Sequence, residues 1–540
     1  MPFLRIEKKS SGTYLRILES YRDHQGKSTH RILYSLGKVG DYSAEQLRRI
    51  GVKLFELGGG EVKALLDGDI EELARYNYGY VQVFSKVIQY YGLDAVLHRI
   101  QRSSKLQFNF YQAVLLMLVE RLHDPCSKRS SFYHQQEYLG LEPVGLQHLY
   151  RSLDKLADYT KLIQKQIFQT GRDLFNQQLD VVFYDVTTLY FDSEVEQDGA
   201  LRQKGFSKDG KMGQTQILFC MLIDKDKRPI GYRIFKGDTF EGHTFGAALD
   251  DLKKEYAIDQ VVVVADRGML SKSNLELVKE KGYEFIIGER IKSLPASIQK
   301  SLLDKSNYTQ QWIYTDNNDE KVSIQYTTIV HEGKTIISTY SSKRAAKDKA
   351  DREQKLTTAQ TLINYPSLLK KKASRYYLSA VGNEKYQLNE KKIKADEAYD
   401  GILAIATNST NFTHTIILEQ YKQLFKIEHT FRTFKSHLEM RPMFHWTDKR
   451  IEGHICLCYI AYTLLNYVQQ KVQMGKTPIS EKQLREMLDH MQVSQMKHND
   501  QQVFIRSRPT QAQHSLQQLL ALKQLPPLLQ GEHIKNYLNY

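Results

Sequence analysis

Three acidic residues stand out by type and setting: Asp185, Asp266 and Glu428. The stretch VVVVADRGML (Val261–Leu270) drives four β-branched residues into a buried strand and ends it on Asp266, followed by Arg267. Asp185 has the same setting, after LDVVFY and before the hydroxyl-rich VTTLYF. A carboxylate at the mouth of a buried strand is costly unless it is hydrogen-bonded, paired or bound to a cation, and hard divalent cations take such oxygen ligands. Capping of the turn that follows is the structural alternative for each acid taken alone. Asp192 is a second candidate on the first strand, but side chains alternate across a strand and one parity faces a given site, which favours Asp185.

The third acid lies in EQYKQLFKIEHTFRTFKSHL, where Leu424, Ile427, Phe431, Phe434 and Leu438 recur at heptad-like spacing and predict the buried seam of a helix. Tyr421, Glu428 and Lys435 are each seven residues apart, so on an ideal helix they form a second row beside that seam. Lys422 and Arg432 flank it. Acids that hold ions beside basic groups that hold a nucleic-acid strand are what metal-dependent phosphoryl transfer requires. Such chemistry needs no protein nucleophile, in keeping with a sequence that shows neither a P-loop nor a Ser-His-Asp pattern.

The elements that must position these residues spread over 540 residues, more than one hydrophobic core covers. Residues 1–40, TYLRILESYRD–HQGK–STHRILYSLG, read as a basic two-stranded hairpin with Arg16, Arg22, Lys27 and Arg31; residues 41–178 read as a helical, DNA-binding domain. Its loop HDPCSKRSS offers Lys128 and Arg129 to phosphates, with an ordinary interhelical loop as the alternative. Residues 179–292 carry three strands in a meander, then helix, strand, helix and strand, the first part of a mixed α/β core. Residues 293–397 read as a β-rich insertion, in which Trp312 stacks on a nucleotide or packs in a core. SKRAAKDKADREQK and LLKKKASRYY there are charge-dense and suited to following a phosphate backbone. Residues 398–470 return to the core with the acid-bearing helix, and residues 471–540 read as a helical segment.

A balance of 76 Lys and Arg against 62 Asp and Glu, net +14, suits a polyanionic partner. The four cysteines are scattered and give no disulfide framework, which points to the cytosol. No charged-then-apolar leader opens MPFLRIEKKSSG, and the apolar run ICLCYIAYTLLNYV is short of a membrane span, so it is expected to be a core helix and no membrane partner is expected.

These pieces together resemble the DNA transposases of bacterial insertion sequences, whose DDE, RNase H-like core is interrupted by a β-rich insertion. The resemblance is carried by YDVTTLYF, GDTFEGHTF, VVVVADRGML, YKQLFKIEHTFRTFKS and RPMFHWTDKRIEGHI, and more diffusely by MPFLRIEKKSSGTYLRILESYRD and RLHDPCSK. It implies a multidomain α/β fold with helical flanks. It also implies a catalytic and metal-ligand set of Asp185, Asp266 and Glu428, with two Mg²⁺ ions and Mn²⁺ as a substitute. The family's helix motif runs tyrosine, arginine, glutamate, lysine; here Tyr421, Glu428 and Lys435 match, but the arginine slot holds Leu424, leaving Lys422 or Arg432 to compensate. The resemblance further implies double-stranded DNA as partner, both element ends and target, and a homodimer on paired ends. A structure-specific nuclease on the same fold, or a DNA-binding derivative without transposition, is the alternative.

Overall fold

The computed structural model describes all residues except 1, 24, 60–69, 176–180, 197–199, 207–212, 259–260, 270, 317–318, 365–372, 382–385, 475–478, 499–500, 531–536 and 538–540. The chain divides into two compact units, residues 1–76 with 493–508 and 525–534, and residues 77–492 with 509–524 and 535–540.

The first unit opens on strands β1 (Pro2–Lys9), β2 (Gly12–Arg22) and β3 (Ser28–Lys38), an antiparallel sheet in that order. The expected two-stranded hairpin is therefore the second half of a three-stranded meander. PFLRIEKK also alternates apolar and charged residues, and it pairs with β2 from Pro2↔Glu19 to Lys9↔Gly12. The basic ribbon is partly neutralised by its own acids, Arg16 to Glu7 at 3.0 Å and Arg31 to Glu19 at 2.6 Å. Helix Ala44–Leu57 follows, started by a capping box between Ser43 and Gln46. Strand β4 (Ile70–Asn77) then interrupts the region read as helical.

In the second unit the 3.6-residue periodicity of residues 79–175 gives six helices, Gly79–Tyr90, Leu93–Ser103, Phe110–His123, Lys128–His134, Leu146–Asp158 and Thr160–Phe175. The core sheet follows, from β5 (Val181–Tyr190), β6 (Gln203–Lys204), β7 (Thr215–Asp224), β8 (Pro229–Lys236), β9 (Val262–Ala265) and β10 (Glu284–Gly288). Spatially β8, β7, β5, β9 and β10 are neighbours in that order; β5, β9 and β10 run parallel, and β7 and β8 antiparallel. This is the mixed sheet of an RNase H-like core. The insertion supplies β11 (Gln310–Thr315), β12 (Lys321–His331) and β13 (Lys334–Tyr340), a long helix Ser342–Asn364, and a short pair β14 (Leu378–Ala380) and β15 (Tyr386–Leu388). Much of LLKKKASRYY lies outside the described residues. Strand β16 (Ile402–Thr407) pairs with β10 on one side and β13 on the other, so the insertion's first three strands extend the core sheet.

Alternation along the strands gives the sheet two covered faces. Val182, Tyr184, Val263, Ala265, Phe285 and Ile287 pack with Phe245, Leu249 and Leu252 of helix Thr244–Lys254 and with Val278 of helix Lys272–Glu280. On the other face Phe219 of β7 meets Phe431 and Phe434 edge-on, at ring centroid distances of 5.9 and 5.3 Å. ICLCYIAYTLLNYV is buried all round inside helix Asp448–Gln473, as a helix apolar on every side must be. Among the described residues no helix is long and apolar enough to cross a membrane.

The C-terminal segment carries helices Glu481–Asp489 and Gln511–Leu519, each started by a capping box. It also supplies β17 (Gln492–His498), β18 (Gln501–Arg506) and β19 (Leu528–Gln530), which join β4 in the order β19-β18-β17-β4. Their glutamines, serine and lysine leave few apolar positions to reveal a period of two, so these strands were not expected from the sequence.

Candidate active site

Strands β5 and β9 pair in register from Val181↔Val262 to Tyr184↔Ala265. The next residue on each is an acid, Asp185 and Asp266. Neighbouring strands lie about 4.8 Å apart, so the two carboxylates leave the sheet at one level. Alternation puts them on the face opposite Tyr184 and Ala265, the face covered by the acid-bearing helix. Asp185 Oδ1 accepts the backbone N–H of Val186, and Asp266 Oδ1 that of Arg267, both at 2.7 Å. Asp185 is half-buried and Asp266 exposed. Asp192 lies exposed beyond the end of β5, where it accepts from Gln214 at 3.5 Å.

The acid-bearing segment is not one straight helix. Thr413 caps helix His414–Lys422, a second helix spans Phe425–Arg432, and a π turn covers Thr433–His437. Leu424, expected in the buried seam, is half-buried at the joint as the N-cap of the second helix. Ile427, Phe431, Phe434 and Leu438 do form the seam. The joint and the π turn break the ideal rotation, so the row of Tyr421, Glu428 and Lys435 is not the straight stripe that seven-residue spacing predicts.

Tyr421 is the best-fixed member of that row. Gly288 stands one residue past Ile287, the partner of Ala265, and so in register with Asp266. A Cβ at Gly288 would collide with the Tyr421 hydroxyl and come within 3.2 Å of Arg267 Cβ. Burial first, then the charge of Asp266, with a smaller push from Glu428, raises the Tyr421 phenol to about 12, while Arg267 and Arg344 act the other way. It is therefore a neutral hydroxyl at pH 7, in the field of two of the three acids. Arg344, at the start of helix Ser342–Asn364, belongs to the same neighbourhood; its only signal in the sequence was the charge-dense SKRAAKDK. Gly288 carries no signal in the sequence either, because nothing in EFIIGE shows which side chain lies over the glycine.

Glu428 is exposed on the second helix. Among the described residues no three His, Cys, Asp or Glu side chains converge tightly enough to hold a metal ion as they stand. The aspartate pair is thus the assembled part of the expected set. Its donors are carboxylate oxygens alone, which suit Mg²⁺ or Mn²⁺ and not a thiolate- or imidazole-seeking metal.

The basic and aromatic residues divide. Arg129, Arg267 and Arg432 are exposed and Lys435 is half-buried. Lys422 is held against the insertion, its Nζ 3.2 Å from the Tyr314 ring centroid, and burial lowers its pKa. Trp312 packs on Tyr314 at 4.5 Å and is 7% exposed, so the packing alternative holds and no open ring face remains for a base. Lys128 does not sit on an exposed loop as expected: Ser127 caps helix Lys128–His134, and its first residue turns inward to 3% exposure.

Residues 176–464 match the family model described as a transposase DDE domain, and residues 4–59 match that of the IS1634 family transposase N-terminal domain. Similar solved structures include a piggyBac transposase synaptic complex with hairpin DNA, at 10% identity over 76% of this chain and 77% of that one, TM-score 0.38. A pre-cleavage Mos1 transpososome shares 13% identity over 36% of this chain and 58% of its own, TM-score 0.15. A Mos1 paired-end complex with the left transposon end shares 14% over 36% and 57%, TM-score 0.15. Comparison with curated proteins gives no match. With a single family model spanning over half of its length, the whole of the core sheet included, the chain belongs to the DDE transposases of insertion sequences.

Proposed function

We propose that this transposase binds the terminal inverted repeats of its own element, cleaves the ends and joins them to target DNA, with Asp185, Asp266 and Glu428 as the acids of the reaction. The observation that supports this most is the register that sets Asp185 beside Asp266 on parallel strands, under the helices that carry Tyr421 and Glu428. Asp185 and Asp266 would hold Mg²⁺, and Glu428 would complete the set on the DNA side. Bound there, the ions supply neutralisation of charge on the phosphate and activation of water or a DNA 3′-hydroxyl for in-line attack.

The chain's own groups do the rest. Tyr421, kept protonated, donates a hydrogen bond toward the strand. Arg267, Arg344, Arg432 and Lys435 hold backbone phosphates around the carboxylates, Arg through its planar fork and Lys as a point charge. Two copies acting on paired ends are the expected working form. The deciding experiment incubates purified protein and Mg²⁺ with paired terminal-repeat duplexes and a plasmid target. Strand joining is expected; cleavage without joining identifies a nuclease on the same fold.

Two smaller effects follow. Lys435→Ala should weaken end binding and lower the slope of log K against log salt by about one, and an unchanged slope removes Lys435 from the phosphate path. Gly288→Ala should displace Tyr421, destabilise the unit by about 1–3 kcal/mol and slow cleavage at least as much as Tyr421→Phe does. Wild-type activity and stability in Gly288→Ala would show that Tyr421 needs no such notch.

A further inference from the structure

A cavity of about 330 Å³ opens under the loop that follows the π turn. Arg121, Lys128, Arg441, His445, Arg450 and His454 line it, from two stretches of the chain, together with one acid, the exposed Glu439. Lys128 is 3% exposed. Arg121, 6% exposed, donates from its two Nη atoms to the carbonyls of Leu438 and Cys126 at 3.2 and 3.1 Å, and its Nε has no partner. His454, 5% exposed, likewise has no partner at Nδ1.

Buried cations are costly unless paired. Arg450 has Asp154 at 3.5 Å, and the buried carboxyl of Glu120 offsets one of the two inner charges. The excess shows in the neighbours. Burial, then Arg121, lowers Lys128 to about 8; burial, then Lys128, Arg121 and Arg450, lowers His445 to about 3. With Glu439 exposed, the buried inner wall has one carboxylate, Glu120, for the two cations Arg121 and Lys128 and is short of an anion, and Arg and Lys are the donors that phosphate accepts best.

Its place ties it to the DNA path. The loop leaves the turn that carries Lys435, and Met443 N donates to Tyr190 O at 3.1 Å, fixing the loop to the far end of β5. Tyr190 lies five residues past Asp185, about 17 Å along the strand. We propose that this cavity is a phosphate site seating one backbone phosphate of the DNA, apart from the bond cut beside Asp185 and Asp266. The anion stands on the cavity alone; its assignment to DNA rests on the function proposed above.

The full-length protein titrated calorimetrically with inorganic phosphate should give a saturable one-to-one heat. Lys128→Met, which keeps the apolar stem and removes the charge, should weaken it at least tenfold without lowering the unfolding midpoint. Asp185→Asn should retain the heat in full, which separates this site from the proposed chemistry. If Lys128→Met does not fold, Arg450→Gln is expected to weaken the same heat. Binding of a terminal-repeat duplex should lose about one unit of salt slope in the Lys128 or Arg450 variant. No heat with wild-type protein, or an equal heat in the variant, overturns the site. A phosphate heat lost in the variant with the duplex slope unchanged overturns the assignment to DNA and leaves a site for free phosphate.

Discussion

Asp185→Asn and Asp266→Asn should each lower DNA strand cleavage by about 10³-fold or more while leaving terminal-repeat binding within a few-fold of wild type. The substitution keeps size and shape. An asparagine Oδ1 can still accept the backbone N–H of Val186 or Arg267, so the strand ends keep their hydrogen bonds. What changes is one negative charge. Two carboxylates leaving neighbouring strands at one level repel each other in the absence of a cation, so either variant should be at least as stable as wild type without Mg²⁺. With Mg²⁺ the order should reverse: wild-type protein gains stability by linkage to ion binding, and the variants gain little. Cleavage assays on labelled end duplexes, paired with unfolding scans at several Mg²⁺ concentrations, test both halves. Normal cleavage by one variant removes that aspartate from the chemistry, and equal Mg²⁺ stabilisation of all three proteins removes the pair from ion binding.

The aspartate pair was legible because the pattern that makes a buried strand also makes an acid at its end conspicuous, and the same local physics recurs at VVVVAD and VVFYD. Strand order was legible only as far as chain order implied it; that β16 would bridge the insertion to β10 depends on pairing between residues 288 and 405 that no local pattern encodes. The acid-bearing helix is where pattern and structure part most. Seven-residue spacing from Tyr421 to Lys435 fits an ideal helix, yet no proline or glycine marks the joint at Leu424, and a π turn has no composition of its own. Burial of single residues was equally hidden. HDPCSKRSS has the composition of a surface loop, and nothing in it shows that Lys128 begins a helix facing inward. The alternation in YTQQWIYTDN shows that Trp312 and Ile313 face opposite ways, but which face Tyr314 and Lys422 would cover is a tertiary fact.

Glu428→Gln should lower cleavage by about 10²- to 10³-fold, yet differ from the aspartate variants in its response to metal. Glu428 stands exposed on a helix of its own, and among the described residues it does not converge with the aspartates into a three-acid cluster. Its charge nonetheless reaches Tyr421, which also feels Asp266, so all three groups share one field. Mg²⁺ binding by the protein alone should therefore depend on Asp185 and Asp266 and be nearly unchanged in Glu428→Gln. With an end duplex present, the phosphate brings further oxygen ligands, and the Glu428 contribution should emerge as weaker Mg²⁺ dependence of both complex stability and cleavage. Calorimetric Mg²⁺ titrations of wild type and Glu428→Gln, with and without duplex, separate the cases. Mg²⁺ affinity lost in Glu428→Gln without DNA would mean that the three acids already act as one set. Cleavage at the wild-type rate would exclude Glu428 and move the search for a third acid elsewhere on the same sheet face.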